Sequence, residues 1–234
     1  MPDADPSDPR RPDDELEERW LQALAAADAT APLEARRSAG ADLLARWREP
    51  SRRYHDESHL RAVLDAVDLL RPEAGDPALV VLGAWFHDAV YEGRPGDDEE
   101  RSALLATDVL ERLGLPAASV RAVAGLVRMT ADHRPAPGGG YDQSDGAVLA
   151  DADLSVLAES AAAYARYVAA VRAEYAAVPE PDFRAGRARV LRALASAPAL
   201  FRTVRGRELW EERARANLSA ELGRLGAGIE QPGS

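Results

Sequence analysis

The chain has 234 residues, 46% of them hydrophobic and 29% charged, and a formal net charge of −11. That balance suits a soluble globular protein and disfavours general nucleic-acid binding, which needs surplus positive charge against phosphate; no stretch approaches the roughly 20 consecutive apolar residues of a membrane span. There is no cysteine, which excludes disulfides and thiolate metal sites and fits a cytoplasmic location.

Residues 1–14 read as a polar tail without a signal-peptide core. Glu15 to Asp28 has helical periodicity (Leu16, Trp20, Leu24), and Leu33 to Trp47 predicts a second helix that Pro50 ends. Residues 58–70 place Leu60, Val63, Leu64, Val67 and Leu70 on one helical stripe. Asp76 is placed to cap a helix with Pro77 at its first position, and Leu79 to Phe86 is apolar all round, which assigns it to the centre of a domain. A helix over about 98–113 follows, with Glu99 and Glu100 favourably near its N-terminus, and then one over Pro116 to Thr130. The segment about 135–146 carries a glycine run and is expected to be a flexible, lid-like loop. Helical stretches over about 146–158, 160–177, 182–196 and 207–224 complete the chain before a tail at 226–234. No segment alternates with period two, so the expectation is an all-α fold, one compact helical domain over 15–225.

All 29 basic residues are arginine. Forked guanidinium groups suit phosphate, although a codon bias toward arginine accounts for the same fact. Schiff-base chemistry and a P-loop lysine are excluded.

Four histidines, His55, His59, His87 and His133, lie near predicted helix ends or on apolar stripes. Singly, each reads as a hydrogen-bonded core residue. Aspartates placed to join them change the reading. His87-Asp88 closes the central helix, where an anionic carboxylate meets the negative end of the dipole unless a cation offsets it. Asp56 is a predicted N-cap that puts His59 in the first turn of its helix, with His55 just ahead. In VLADADLSVLAE, Asp153 falls on the face of Leu149, Ala152, Val156 and Leu157, and an ionised carboxylate there costs several kcal/mol unless it is paired. Asp151 falls further from that stripe and reads as an N-terminal dipole contact. His59, His87, Asp88 and Asp153 therefore form a candidate metal set, whose mixed N/O ligation suits Mn²⁺, Fe²⁺, Co²⁺, Ni²⁺ or Zn²⁺ better than Mg²⁺.

The ordered series EPSRRYHDESHL, AWFHDAVYEG, DDEERSA, TADH, DADLSVL, YVAAVRAEY and ERARANL resembles the HD superfamily of metal-dependent phosphohydrolases, in a bacterial branch of predicted HD phosphohydrolases. The resemblance runs from about residue 49 to 217. It implies an all-α HD-type domain in which His59, His87, Asp88 and Asp153 bind a divalent metal, and hydrolysis of a phosphate ester of a nucleotide or other small phosphorylated metabolite. Asp56 stands where this branch commonly has Asn, and Tyr91 where many members have Glu, with Glu92 next to it. His133 or Glu92 are candidates to shuttle protons. His55 and Arg52 are candidates to hold the phosphate. Arg172 and Tyr175, three apart on one helix face, are further candidates for the same task, or else a surface Arg and a core Tyr. Two competing readings keep the same residues: a non-catalytic metal- or nucleotide-binding helical module, and a structural bundle whose buried His and Asp residues pair with one another.

Overall fold

The computed structural model describes residues 12–94, 96–135 and 138–227; most of both expected tails, and residues 136–137 of the expected loop, lie outside the described residues. The fold is built outward from its most apolar element. Asp76 accepts from the N–H groups of Ala78 and Leu79 and so starts helix α4, Pro77–Phe86, with Pro77 in its first turn. Residues 80–86 are all buried. Around α4 pack α1 (Pro12–Ala26), α3 (Glu57–Leu70), α5 (Asp97–Arg112), α6 (Ala117–Met129) and α7 (Gln143–Leu154), with α2 (Leu33–Trp47) against α1 and α3. Trp20, Trp85 and Phe86 interlock at centroid distances of 5.2 and 5.9 Å. Each fully buried side chain of this size contributes roughly 1.5–3 kcal/mol. The packing of this group is what fixes the direction of the chain as it leaves α4.

A second buried cluster holds α8 (Ala161–Glu174), α9 (Glu180–Ala195) and α10 (Val204–Ala227), with a 3₁₀ turn at Ser155–Ala158 that continues α7. Trp210 packs against both clusters. All described elements are helical, and none is long and apolar enough to cross a membrane.

The structure sharpens three sequence expectations. The helix expected over 146–158 begins at Gln143, capped by Asp142, and ends at Leu154. Within the 135–146 segment residues 138–140 are exposed, and one point touches α6: a Cβ at Gly125 would lie 2.1 Å from the Gly139 carbonyl oxygen, so only glycine lets the loop approach there. Asp151 is fully buried near the C-terminal end of α7. Its carboxylate contacts the start of a different helix. It accepts from the N–H of Arg202 and of Thr203 at 2.8 Å each and from Thr203 Oγ1 at 2.7 Å. Glu73 accepts from Val204 and Arg205 N–H at 2.7 and 2.8 Å. Two carboxylates from the first cluster thus hold the N-terminus of α10, where unpaired donors and the positive end of the dipole favour anions.

Asp151→Ala leaves those buried donors without an acceptor, and its urea-unfolding free energy is expected to fall by about 2–5 kcal/mol. An unchanged midpoint would show that α10 is held by apolar packing alone.

Candidate metal centre

The chain supplies the centre from helix ends. His59 is the third residue of α3; the Asp56 cap accepts from the N–H of Ser58 at 2.8 Å and of His59 at 3.3 Å, which fixes the first turn and turns the imidazole inward. His87 follows the last residue of α4. Its Nδ1 donates to the Ala84 carbonyl at 2.8 Å, and because a carbonyl only accepts, Nδ1 carries the hydrogen and Nε2 faces the centre. Asp153 is the penultimate residue of α7. The two Nε2 atoms lie 3.2 Å apart. An Asp153 oxygen lies 3.1 Å from His59 Nε2 and 3.7 Å from that of His87. Asp88 Oδ2 approaches the same two nitrogens at 3.8 and 3.3 Å. His59, His87 and Asp153 offer ligand atoms all within 4.8 Å of one another and could hold a metal ion.

The donor chemistry fits such an ion. Two carboxylates and two imidazole nitrogens converge at the negative end of α4, with both histidines buried. Burial lowers the His59 pKa. Burial also acts against a charged His87, yet Asp88 and Asp153 lift its pKa to about 9. Burial alone would raise the two carboxylates, but His87 beside them keeps both well below the usual range. The site therefore stabilises positive charge strongly enough to draw a proton onto a buried imidazole, and a divalent cation answers the same demand.

Two further histidines flank the centre. His133 has φ +55°, a left-handed backbone uncommon outside glycine that costs on the order of 1 kcal/mol. This turn brings its Nε2 to 2.7 Å from Asp153 Oδ2, so one carboxylate joins His59 and His133. His55 Nδ1 is 2.6 Å from Glu174 Oε2. Glu174 Oε1 also accepts from the N–H of Arg53, Tyr54 and His55 at 2.9, 2.8 and 3.0 Å, and Tyr91 donates its hydroxyl to Oε2 at 3.2 Å. Burial would raise the Glu174 pKa, but His55 and these N–H groups bring it to about 2. Burial lowers that of His55, and Glu174 together with Asp88 and Asp153 more than offsets it, leaving it above the ordinary value. The His55 ring stacks on Tyr91 at 4.2 Å.

The other sequence candidates lie elsewhere. Arg52 is 5% exposed and points inward, donating to the carbonyls of His55 and Asp88 at 2.9 and 2.7 Å and of Ala89 at 3.2 Å. It clamps the backbone of the site and has no face for a substrate. Glu92 is at the surface, 2.9 Å from Arg101, and does not join the cluster. Arg172 donates to the Tyr175 and Val178 carbonyls and pairs with Glu180, closing the end of α8, while the Tyr175 ring packs on Phe183. Sequence reasoning passed over Glu174 between those two. A signal was available, since Glu174 is the sole acidic residue of α8 and sits at its electrostatically unfavourable C-terminus.

No known family model matches the chain, and no curated protein matches it. The site's own chemistry carries the functional reading. A cavity of about 430 Å³ opens beside the centre, lined in part by His55, His133 and Asp153.

Protein purified without chelator is expected to hold about one divalent transition metal per chain by elemental analysis, and Asp153→Ala essentially none; equal metal content after added Mn²⁺ or Ni²⁺ would remove Asp153 from the ligand set. His133→Gly relieves the left-handed backbone but frees Asp153, so apo stability is expected to hold while metal affinity falls about 10–100-fold by calorimetry.

Proposed function

We propose that the chain is a metal-dependent phosphohydrolase of the HD type, acting on a phosphate ester of a nucleotide or other small phosphorylated metabolite. The observation that supports this most is the convergence of His59, His87 and Asp153 from three helices at ligand spacing, with Asp88 alongside. In sequence order the four make the His … His-Asp … Asp series. The mixed imidazole and carboxylate set favours a divalent transition ion over Mg²⁺. When bound, such an ion supplies a Lewis acid for a phosphoryl oxygen.

The chain's own residues then have distinct tasks. His55 lines the cavity, and its Nδ1 is tied to Glu174. That bond fixes the ring and leaves Nε2 as the position that holds a proton for the leaving oxygen. Glu174 acts through His55 and is a positioning residue; the same carboxylate holds the 53–55 backbone in place. Arg52 fixes the carbonyl of Asp88 and thus the course of the chain through the second carboxylate. Trp47 packs on the His87 ring at 5.4 Å on the buried side of the centre, and Tyr54 on the His59 ring at 4.8 Å at the cavity wall.

With a panel of phosphate esters and added Mn²⁺, phosphate release is expected in the wild type and none in His87→Ala of unchanged helical circular dichroism. Equal residual rates in both would assign the activity to a contaminant. His55→Gln is expected to keep its metal and lose about 10²–10⁴-fold in kcat, the range for a general acid or base; a full-rate variant would leave His55 without a role in proton transfer.

A further inference from the structure

Arg187 on α9 and Glu221 on α10 meet at the second cluster as an ion pair whose side chains are only 10% and 3% exposed. Arg187 Nε and Nη2 donate to the two carboxylate oxygens at 2.8 and 3.1 Å, and the Tyr164 hydroxyl donates to the same carboxylate. An ion pair taken out of water repays its desolvation poorly, and apolar side chains of similar volume hold such a position as well or better. Stability alone does not account for this one.

The fork has one arm left over. Arg187 Nη1 donates to the Tyr167 hydroxyl oxygen at 3.0 Å. A guanidinium accepts nothing, so the hydroxyl's own hydrogen turns away from it, and no described residue accepts that hydrogen. Tyr167, on α8, lines both chambers that open at the centre, one of about 430 Å³ with His55 and His133 and one of about 260 Å³ with His59; Asp153 lines both with it. The Tyr167 ring is held between the Arg187 guanidinium, 5.1 Å from its centroid, and the Tyr54 ring, edge to face at 4.6 Å.

Burial raises the Tyr167 pKa, and Arg187 only partly opposes this, so the hydroxyl keeps its hydrogen. It is a neutral donor beside the Asp153 carboxylate. A hydroxyl whose oxygen already accepts from a cation donates more strongly in turn.

We propose that Tyr167 donates its hydroxyl hydrogen to a phosphoryl oxygen of the ligand at the centre, and that Arg187 and Glu221 are positioning residues that hold and polarise that hydroxyl. This rests on the phosphohydrolase reading and deepens it.

Tyr167→Phe removes one oxygen and keeps the ring. Loaded with Mn²⁺, it is expected to retain its metal and helical circular dichroism and to lose about 10–100-fold in kcat/KM on the phosphate ester that the wild type turns over best. Tyr164→Phe/Arg187→Met/Glu221→Leu replaces the buried polar group by apolar side chains, and is expected to fold and to approach the Tyr167→Phe rate. Adding Tyr167→Phe to that variant is expected to cost little more, because the residues act as one unit; fully additive losses would overturn the positioning role. In Zn²⁺-loaded protein carrying ¹³Cζ-labelled tyrosine, excess inorganic phosphate is expected to shift the resonance that Tyr167→Phe lacks. An unmoved resonance, or full activity in Tyr167→Phe, overturns the contact and leaves the hydrolase reading in place. A wild type that hydrolyses no ester overturns the hydrolase reading; the Tyr167 resonance then decides the contact alone, a shift with phosphate supporting it and no shift overturning it.

Discussion

Electron pairs outnumber protons at the end of α4, and the surrounding structure is arranged around that imbalance. The helix delivers the negative end of its dipole, Asp88 adds a carboxylate, and Asp153 brings a second from α7. Carboxylates so enclosed are stable only against positive charge, since an unpaired one costs several kcal/mol. In the metal-free chain a proton on His87 partly fills that need. A metal ion would fill it more completely, with the two inward Nε2 atoms placed to hold it.

The carbonyls leaving α4 show how the position is enforced. Ala84 accepts from His87 Nδ1, Trp85 from Trp47 Nε1 at 3.1 Å, and Asp88 and Ala89 from Arg52. Of the carbonyls that the helix end leaves over, those of Ala84 and Trp85 are met by side chains that also line the site, and those of Gly83 and Phe86 by the N–H groups of His87 and Ala89. Glu174 does the corresponding work on the opposite wall, gathering the 53–55 backbone and the His55 ring onto one carboxylate. Asp151 and Glu73 tie α10 to the first cluster, which holds the second cluster, and the chamber walls it contributes, against the centre. Apolar packing sets the scaffold; a few buried ion and hydrogen-bond contacts set the geometry of the site.

Much of this was legible in the sequence because helix signals are local. The Asp56 and Asp76 caps, the all-apolar run 79–86 and the stripe 60–70 each depend on neighbours within a turn or two, and each predicted element has its counterpart. Asp153 was legible for a related reason, as a charge on an apolar face demands a partner. Asp151 does meet a helix N-terminus, but that of α10, whose flanking residues Arg202 and Thr203 lie 51 and 52 positions further on, beyond the reach of any local pattern. Arg52 was assigned outward on residue type alone; its inward course depends on carbonyls 36 and 37 positions away. Glu174 makes its contacts across about 120 residues, and only its lone charge at a helix C-terminus hinted at them.

The shared cation is tested most directly by anomalous diffraction from crystals soaked in MnCl₂. A centre of the kind described predicts one strong peak bonded to Nε2 of His59 and of His87 and to carboxylate oxygens of Asp88 and Asp153, at roughly 2.0–2.2 Å. An empty centre at saturating Mn²⁺, with Asp153 bonded only to His59 and His133, would contradict it.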